Sequence, residues 1–186
     1  IGVNKETKNS ENHRQIFYVD DFKFNYWEQQ YPSSYSDWLY FLTSISLVKS
    51  IIQNEFKNKI DIIVVYNYPS MAFLKLLLFC ENHNIKLIAD VTEWYQPEGS
   101  VFFKIIKGFD SFLRMKIIQK RIDAVIVISK YLHDYYKDVE KIMLPPLVDK
   151  NSSKWCQLTF NENNHIELVY AGSPGNGVKD RLDYIF

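Results

Sequence analysis

The residues best suited to chemistry stand where apolar runs end. The richest stretch is Gly172-Ser173-Pro174-Gly175-Asn176-Gly177-Val178-Lys179, directly after the apolar run 166–171. Glycines let a backbone come close to a ligand. The N–H groups of such a loop, with a helix start beyond it, form an anion site to which Lys179 adds a full charge. That combination points to phosphate. The loop is not GxxxxGK[ST], because Val178 separates Gly177 from Lys179 and Asp180 replaces the hydroxyl, and it is not GxGxxG either. An ordinary glycine turn after a strand is the alternative.

A second group is Asp90, Thr92, Glu93, Trp94 and Tyr95. A carboxylate beside an aromatic at a strand exit can orient a sugar hydroxyl or act as a general base, which makes Glu93 and Asp90 the catalytic candidates. A solvated loop acid next to a packing tryptophan is the competing reading. Asn67 and Tyr68 follow another apolar run, and Ser129 a third. Ser129 is first of all a helix N-cap, since its hydroxyl can accept from an N–H of the first turn, and only then a ligand contact. His13, His83, His133 and His165 are scattered, with no metal-ligand spacing and no neighbouring Cys or Asp constellation, so no metal is expected. Cys80 and Cys156 form no CxxC pair and read as free thiols in a reducing compartment.

The elements that must hold these residues alternate between strand and helix. Residues 60–66, Ile-Asp-Ile-Ile-Val-Val-Tyr, are the clearest strand and, being nearly continuous and β-branched, are expected to be central and parallel. Residues 85–91 and 124–128 read as further strands, the latter buried on both faces. A shorter strand at 142–144 is stopped by Pro145-Pro146. Between them, a helix is expected from an N-cap at Ser36 through Phe56. A second runs over 71–80 with Ser70 as its cap, and a third runs from about Ser100 to Arg121. In the third, Phe102, Ile105, Ile106, Phe109, Phe112, Leu113 and Ile117 share a face, while Lys107, Arg114 and Arg121 lie on the other. Ahead of these, 1–3 reads as the tail of a strand, 4–15 as an exposed loop, 16–19 as a short strand and 22–35 as aromatic and irregular. The alternation predicts a parallel α/β sheet wound with helices, whose strand exits share one rim.

The chain has 186 residues and no net formal charge, which argues against a broad nucleic-acid surface. The domain expected over 1–150 gives way to a polar linker, 151–165, and a second α/β domain begins at 166–186. Neither end reads as a natural terminus. No secretory signal and no apolar run of spanning length is present, so a cytoplasmic location is expected, with peripheral contact at the inner membrane face as an option. The cationic side of the 100–121 helix invites an anionic lipid surface. The expected role of that helix is nonetheless to bury its phenylalanines against the sheet as an amphipathic crossover.

Three pieces taken together resemble a known family. They are Arg121-Ile-Asp-Ala-Val-Ile-Val-Ile-Ser129, Leu144-Pro-Pro-Leu-Val-Asp149, and Leu168-Val-Tyr-Ala-Gly172 followed by Lys179. In order and spacing they are similar to the GT-B fold glycosyltransferases of group 1 (family 4). The resemblance covers about residues 61–180. It implies paired Rossmann-like domains and transfer of a sugar from a nucleotide-sugar donor to a saccharide or lipid-linked acceptor, in polysaccharide or glycan synthesis. It also implies retention of anomeric configuration and no cofactor or metal. Gly172 and Lys179, with Ser173 and Gly175 in the same loop, would hold the donor diphosphate. Ser173 stands where the family usually has arginine, and the family's histidine has no counterpart at 90–95. Asn67, Tyr68, Trp94, Tyr95 and Ser129 would line the acceptor cleft. The family's first glycine-rich loop would precede Ile1 and its E-x7-E segment would follow Phe186, so these residues alone are not expected to turn over. A non-catalytic GT-B-like binding module and a nucleotide-sugar epimerase are the other readings.

Overall fold

Runs of β-branched residues separated by helix-length segments can form parallel strands only through crossovers. In the computed structural model, which describes residues 1–4, 14–19, 21–93 and 100–147, they do so. Strands β4 (Ile62–Tyr66), β5 (Lys86–Val91), β6 (Ala124–Val127) and β7 (Glu140–Met143) lie in the order β4-β5-β6-β7. Every pairing among them is parallel. Helix α3 (Ser70–His83) joins β4 to β5. Helix α4 (Val101–Phe112), continued by a π-helical segment over Leu113–Ile118, leads to β6, and the short α5 (Lys130–Tyr135) leads to β7. All described residues belong to a unit spanning Ile1–Leu147, and the second domain expected at 166–186 lies outside the described residues.

Strands laid down in sequence order, all advancing the same way by right-handed crossovers, receive their helices on one face. Burial follows that rule. Val65, Leu87, Ala89, Val91, Val125 and Val127 are buried with Ala72, Phe73, Leu76, Leu77 and Cys80 of α3. Met115 and Ile118 of the π segment, and Leu132 and Tyr136, complete the cluster. The alternate residues Ile62, Val64, Tyr66 and Ile142 are more than half exposed. The sequence predicts strands buried on both faces, with 60–66 central. Among the described residues β4 is instead an edge strand, and the sheet is covered on one side. Apolar composition reports what a strand tolerates, not which of its faces has a neighbour.

A second sheet precedes this one. Strands β2 (Arg14–Val19) and β3 (Phe22–Gln30) form an antiparallel hairpin in which Val19 pairs with Phe22, and β1 (Gly2–Asn4) runs parallel to β3. The stretch read as irregular from Phe22 is therefore mostly strand. Phe22, Phe24 and Tyr26 alternate with polar residues at period two, and the Phe17 and Phe24 rings stack at 5.7 Å across the hairpin.

The helix expected from Ser36 is two helices, α1 (Tyr35–Thr43) and α2 (Ser46–Asn54). Its cap is Ser34, not Ser36. The Ser34 hydroxyl accepts from Asp37 N–H at 3.2 Å while the Asp37 carboxylate accepts from Ser34 N–H at 3.0 Å, a reciprocal capping box. The break follows from hydroxyls competing for backbone. Thr43 Oγ1 donates to Leu39 O at 2.7 Å, and the Ser44 hydroxyl takes Ser46 N–H at 3.2 Å. Helix α3 ends at Asn84, whose left-handed conformation (φ 54°) closes the last turn.

Candidate functional site

Parallel register brings the sequence-predicted strand exits to one edge. Tyr66, Asp90, Ile126 and Ile142 form one row across the sheet. Asn67 therefore follows β4, Glu93 follows β5 and Ser129 follows β6 on the same rim, the edge where open α/β sheets bind ligands. Asp90 is half-buried within β5, and Glu93 is exposed just beyond it. Ser129 is half-buried, and its hydroxyl accepts Leu132 N–H at 3.3 Å as the cap of α5. The Tyr68 ring packs edge-on against Phe73 at 6.4 Å, and burial pushes its phenol up to about 12. Trp94, Tyr95, Gly172, Ser173, Gly175 and Lys179 lie outside the described residues.

Beside Asn67 the rim opens into a cavity of about 730 Å³. Trp38 and Leu42 of α1, Met71 of α3, and Ile106 and Phe109 of α4 make its walls apolar. Its polar groups are few: Asn67, Ser70, Lys107, Asp110, Ser111 and Arg114. An apolar concavity with a small set of convergent polar groups is the usual form of a small-molecule site.

The polar groups are tied into one network. Arg114 is 5% exposed. Its Nη1 donates to Asn67 Oδ1 at 2.7 Å, and its Nη2 lies 4.0 Å from Asp110 Oδ2. The other Asp110 oxygen accepts Ser70 N–H at 2.9 Å. Helix α3 has no capping side chain of its own, because Pro69 occupies its N-cap. A carboxylate forty residues away in sequence caps it instead, with the favourable sign for a helix N-terminus. Ser70, expected to be the cap, is the first helical residue and the donor in this bond. Asn67 holds φ 46°, a left-handed conformation that asparagine tolerates better than most residues. Arg114 itself sits in the π-helical segment, where Gln119 N–H bonds Arg114 O at 2.9 Å across five residues. Single π turns inside α-helices recur at functional sites.

Arg114 and Asp110 are the residues that sequence reasoning missed. Spacing of seven grouped Arg114 with Lys107 and Arg121 on a solvent face. Lys107 and Arg121 are exposed, but Arg114 is buried, and the expected burial of Ile105, Phe109 and Phe112 is reversed, because all three are exposed. The available signal was the i, i+4 pair Asp110/Arg114. A carboxylate that close makes burial of a guanidinium affordable. Cys80 is a buried free thiol pushed up to about 11 by its apolar surroundings, which makes it inert. Among the described residues there is no cluster of metal-ligating side chains, and no helix is long and apolar enough to cross a membrane. Neither a protein-family model, nor a characterised protein, nor a solved structure matches the chain.

Proposed function

We propose that residues 1–147 form the acceptor-side, Rossmann-like half of a GT-B-type glycosyltransferase. The observation that carries the reading is the shared rim: parallel strands β4, β5 and β6 lead into Asn67, Glu93 and Ser129 on one edge, and Asn67 also lines an apolar cavity with a buried guanidinium. In this reading the cavity takes the acceptor. Trp38, Met71, Ile106 and Phe109 pack its apolar body, and Arg114 and Lys107 favour an anionic or hydroxyl-rich group. Glu93 accepts the proton of the acceptor hydroxyl, with Asp90 as the second candidate. The hydroxyl oxygen bonds the donor sugar's anomeric carbon as the bond from that carbon to the nucleoside diphosphate breaks. The loop from Gly172 to Lys179, with Ser173 and Gly175, receives the charge that develops on the departing diphosphate.

A non-catalytic binding module of the same fold is the second reading. It is favoured by the way Arg114, Asn67, Asp110 and Ser70 engage one another, as a structural network would. Calorimetric titration of the protein with UDP-, GDP- and dTDP-sugars separates the two, together with a radiolabel transfer assay on the intact gene product. The transferase reading expects donor binding that Lys179→Ala removes, and transfer that Glu93→Gln removes without loss of donor binding. Donor binding with no transfer to any acceptor would favour the binding module. Absence of nucleotide-sugar binding would overturn both the donor-site assignment and the transferase reading.

A further inference from the structure

Helix α4 is built inside out. A crossover helix normally turns its apolar stripe to the sheet. Here Val101, Ile105, Phe109 and Phe112 recur at spacings of four and three, which puts them on one face, and they are 76, 65, 61 and 50% exposed. From this side the cavity is lined by Lys107, Asp110, Ser111 and Arg114 together with Ile106 and Phe109, so the stripe borders the opening at Phe109. Across that cavity, α1 repeats the pattern with Tyr35, Trp38, Leu39 and Leu42 all exposed. Two helices thus present large apolar side chains to solvent on either side of one opening, a feature that marks an interaction surface.

Charge indicates what covers it. The charged side chains exposed along α4 and the π segment are Lys104, Lys107 and Lys116, and Lys120 and Arg121 follow at once. The one acid there, Asp110, is half-buried and accepts from Ser70 N–H. The acid of α1, Asp37, accepts from Ser33 and Ser34 in the capping box. Lys116 Nζ lies 5.8 Å from the centre of the Phe112 ring, so cation and apolar stripe adjoin. Phenylalanine and isoleucine on one face, lysine beside them, and tryptophan and tyrosine at the margin are the composition of a helix lying in a lipid headgroup layer.

We propose that α4 and α1 form a docking surface for an anionic phospholipid bilayer. Ile105, Phe109 and Phe112 enter the acyl boundary, and Lys104 and Lys116 meet the headgroups. The cavity between the helices then opens at the lipid surface. This inference stands without the transferase reading, because its test measures partitioning and not catalysis.

The test is co-sedimentation of the protein with vesicles of phosphatidylcholine alone and of phosphatidylcholine mixed with an about equal part of phosphatidylglycerol. The expected result is sedimentation with the mixed vesicles and little with phosphatidylcholine. Ile105→Glu/Phe109→Glu and, separately, Lys104→Glu/Lys116→Glu are each expected to lower the partition coefficient about tenfold or more. The altered side chains are exposed, and unchanged circular dichroism confirms that each variant is folded. Val64→Glu, on the open sheet face, is expected to leave partitioning unchanged. No sedimentation with the mixed vesicles would overturn the proposal, as would sedimentation indifferent to both double variants. A self-association abolished by Phe109→Glu in protein that ignores vesicles would assign the surface to a second copy of the chain and overturn it equally.

Discussion

The link between Arg114 and Asn67 is the point where the site's energetics can be measured most directly. Arg114 is 5% exposed, and its 2.7 Å bond to Asn67 is charge-assisted. Hydrogen bonds to charged groups contribute about 1.5–3 kcal/mol each. Truncation by Arg114→Ala removes that bond and the packing of the alkyl stem, and it also removes the cation from Asp110. Asp110 keeps Ser70 N–H and is one-third exposed, so water offsets part of its loss. The expected cost is therefore about 2–4 kcal/mol, a large share of the ~5–15 kcal/mol of a whole domain. Asn67→Gly removes the amide but relieves a left-handed φ that costs a non-glycine residue about 1 kcal/mol, so its net cost is smaller. Urea unfolding of the parent, both single variants and the double variant, followed by far-ultraviolet circular dichroism, completes a double-mutant cycle. The expected coupling is about 1.5–3 kcal/mol with unchanged denaturant slope. Arg114→Lys should recover less than half of the Arg114→Ala loss, because a point charge cannot reproduce the planar fork toward both partners. A coupling below about 0.5 kcal/mol would show that the two residues are neighbours and not partners, and the network reading of the site would fall.

Three further outcomes follow from the fold. Phe73 is 1% exposed at the centre of the core, so Phe73→Ala should destabilise by about 3–5 kcal/mol in the same urea assay. The Asp123 carboxylate accepts from Leu87 N–H at 2.9 Å and from Lys86 Nζ at 2.7 Å, in that order of effect, which holds it below the ordinary carboxylate range. A carboxylate depressed on folding stabilises in full above its unfolded value of about 4 and loses that contribution as pH falls through its folded value. Asp123→Asn should therefore lower the urea midpoint at neutral pH, with the gap to the parent narrowing below about pH 4; a gap independent of pH would refute this. Ser34→Ala removes the capping box of α1 and should cost about 1 kcal/mol, whereas Ser36→Ala, which removes only a hydroxyl 2.9 Å from that of Ser34 and leaves both bonds of the box, should cost less.

The parallel pairing and the rim were legible because each depends on local pattern plus a general rule, whereas the place of β4 at the edge was not. A β-branched run followed by a capped helix can join a neighbouring strand only by a crossover, and Ser129 caps α5 as its position after Val127 and Ile128 implies. The hairpin from Arg14 to Gln30 was harder to read, because lysine, asparagine and glutamate between its aromatics masked a period of two. The boundary of α1 was missed by two residues, since Ser33, Ser34 and Ser36 all have capping chemistry and only Ser34 is three residues ahead of Asp37.

What the amino-acid order determined by itself is that strands and helices alternate from β4 to β7, that this sheet is parallel, and which polar residues follow each of its strands. Those properties follow from side-chain periodicity and backbone hydrogen bonding, which act over a few residues. Only the tertiary structure decided that the sheet is covered on one face, that α4 turns its apolar stripe outward, and that Arg114 is buried against Asn67. A guanidinium can leave water only where partners are already waiting. Asn67 is supplied by a turn forty-seven residues away, and no local pattern along α4 records that.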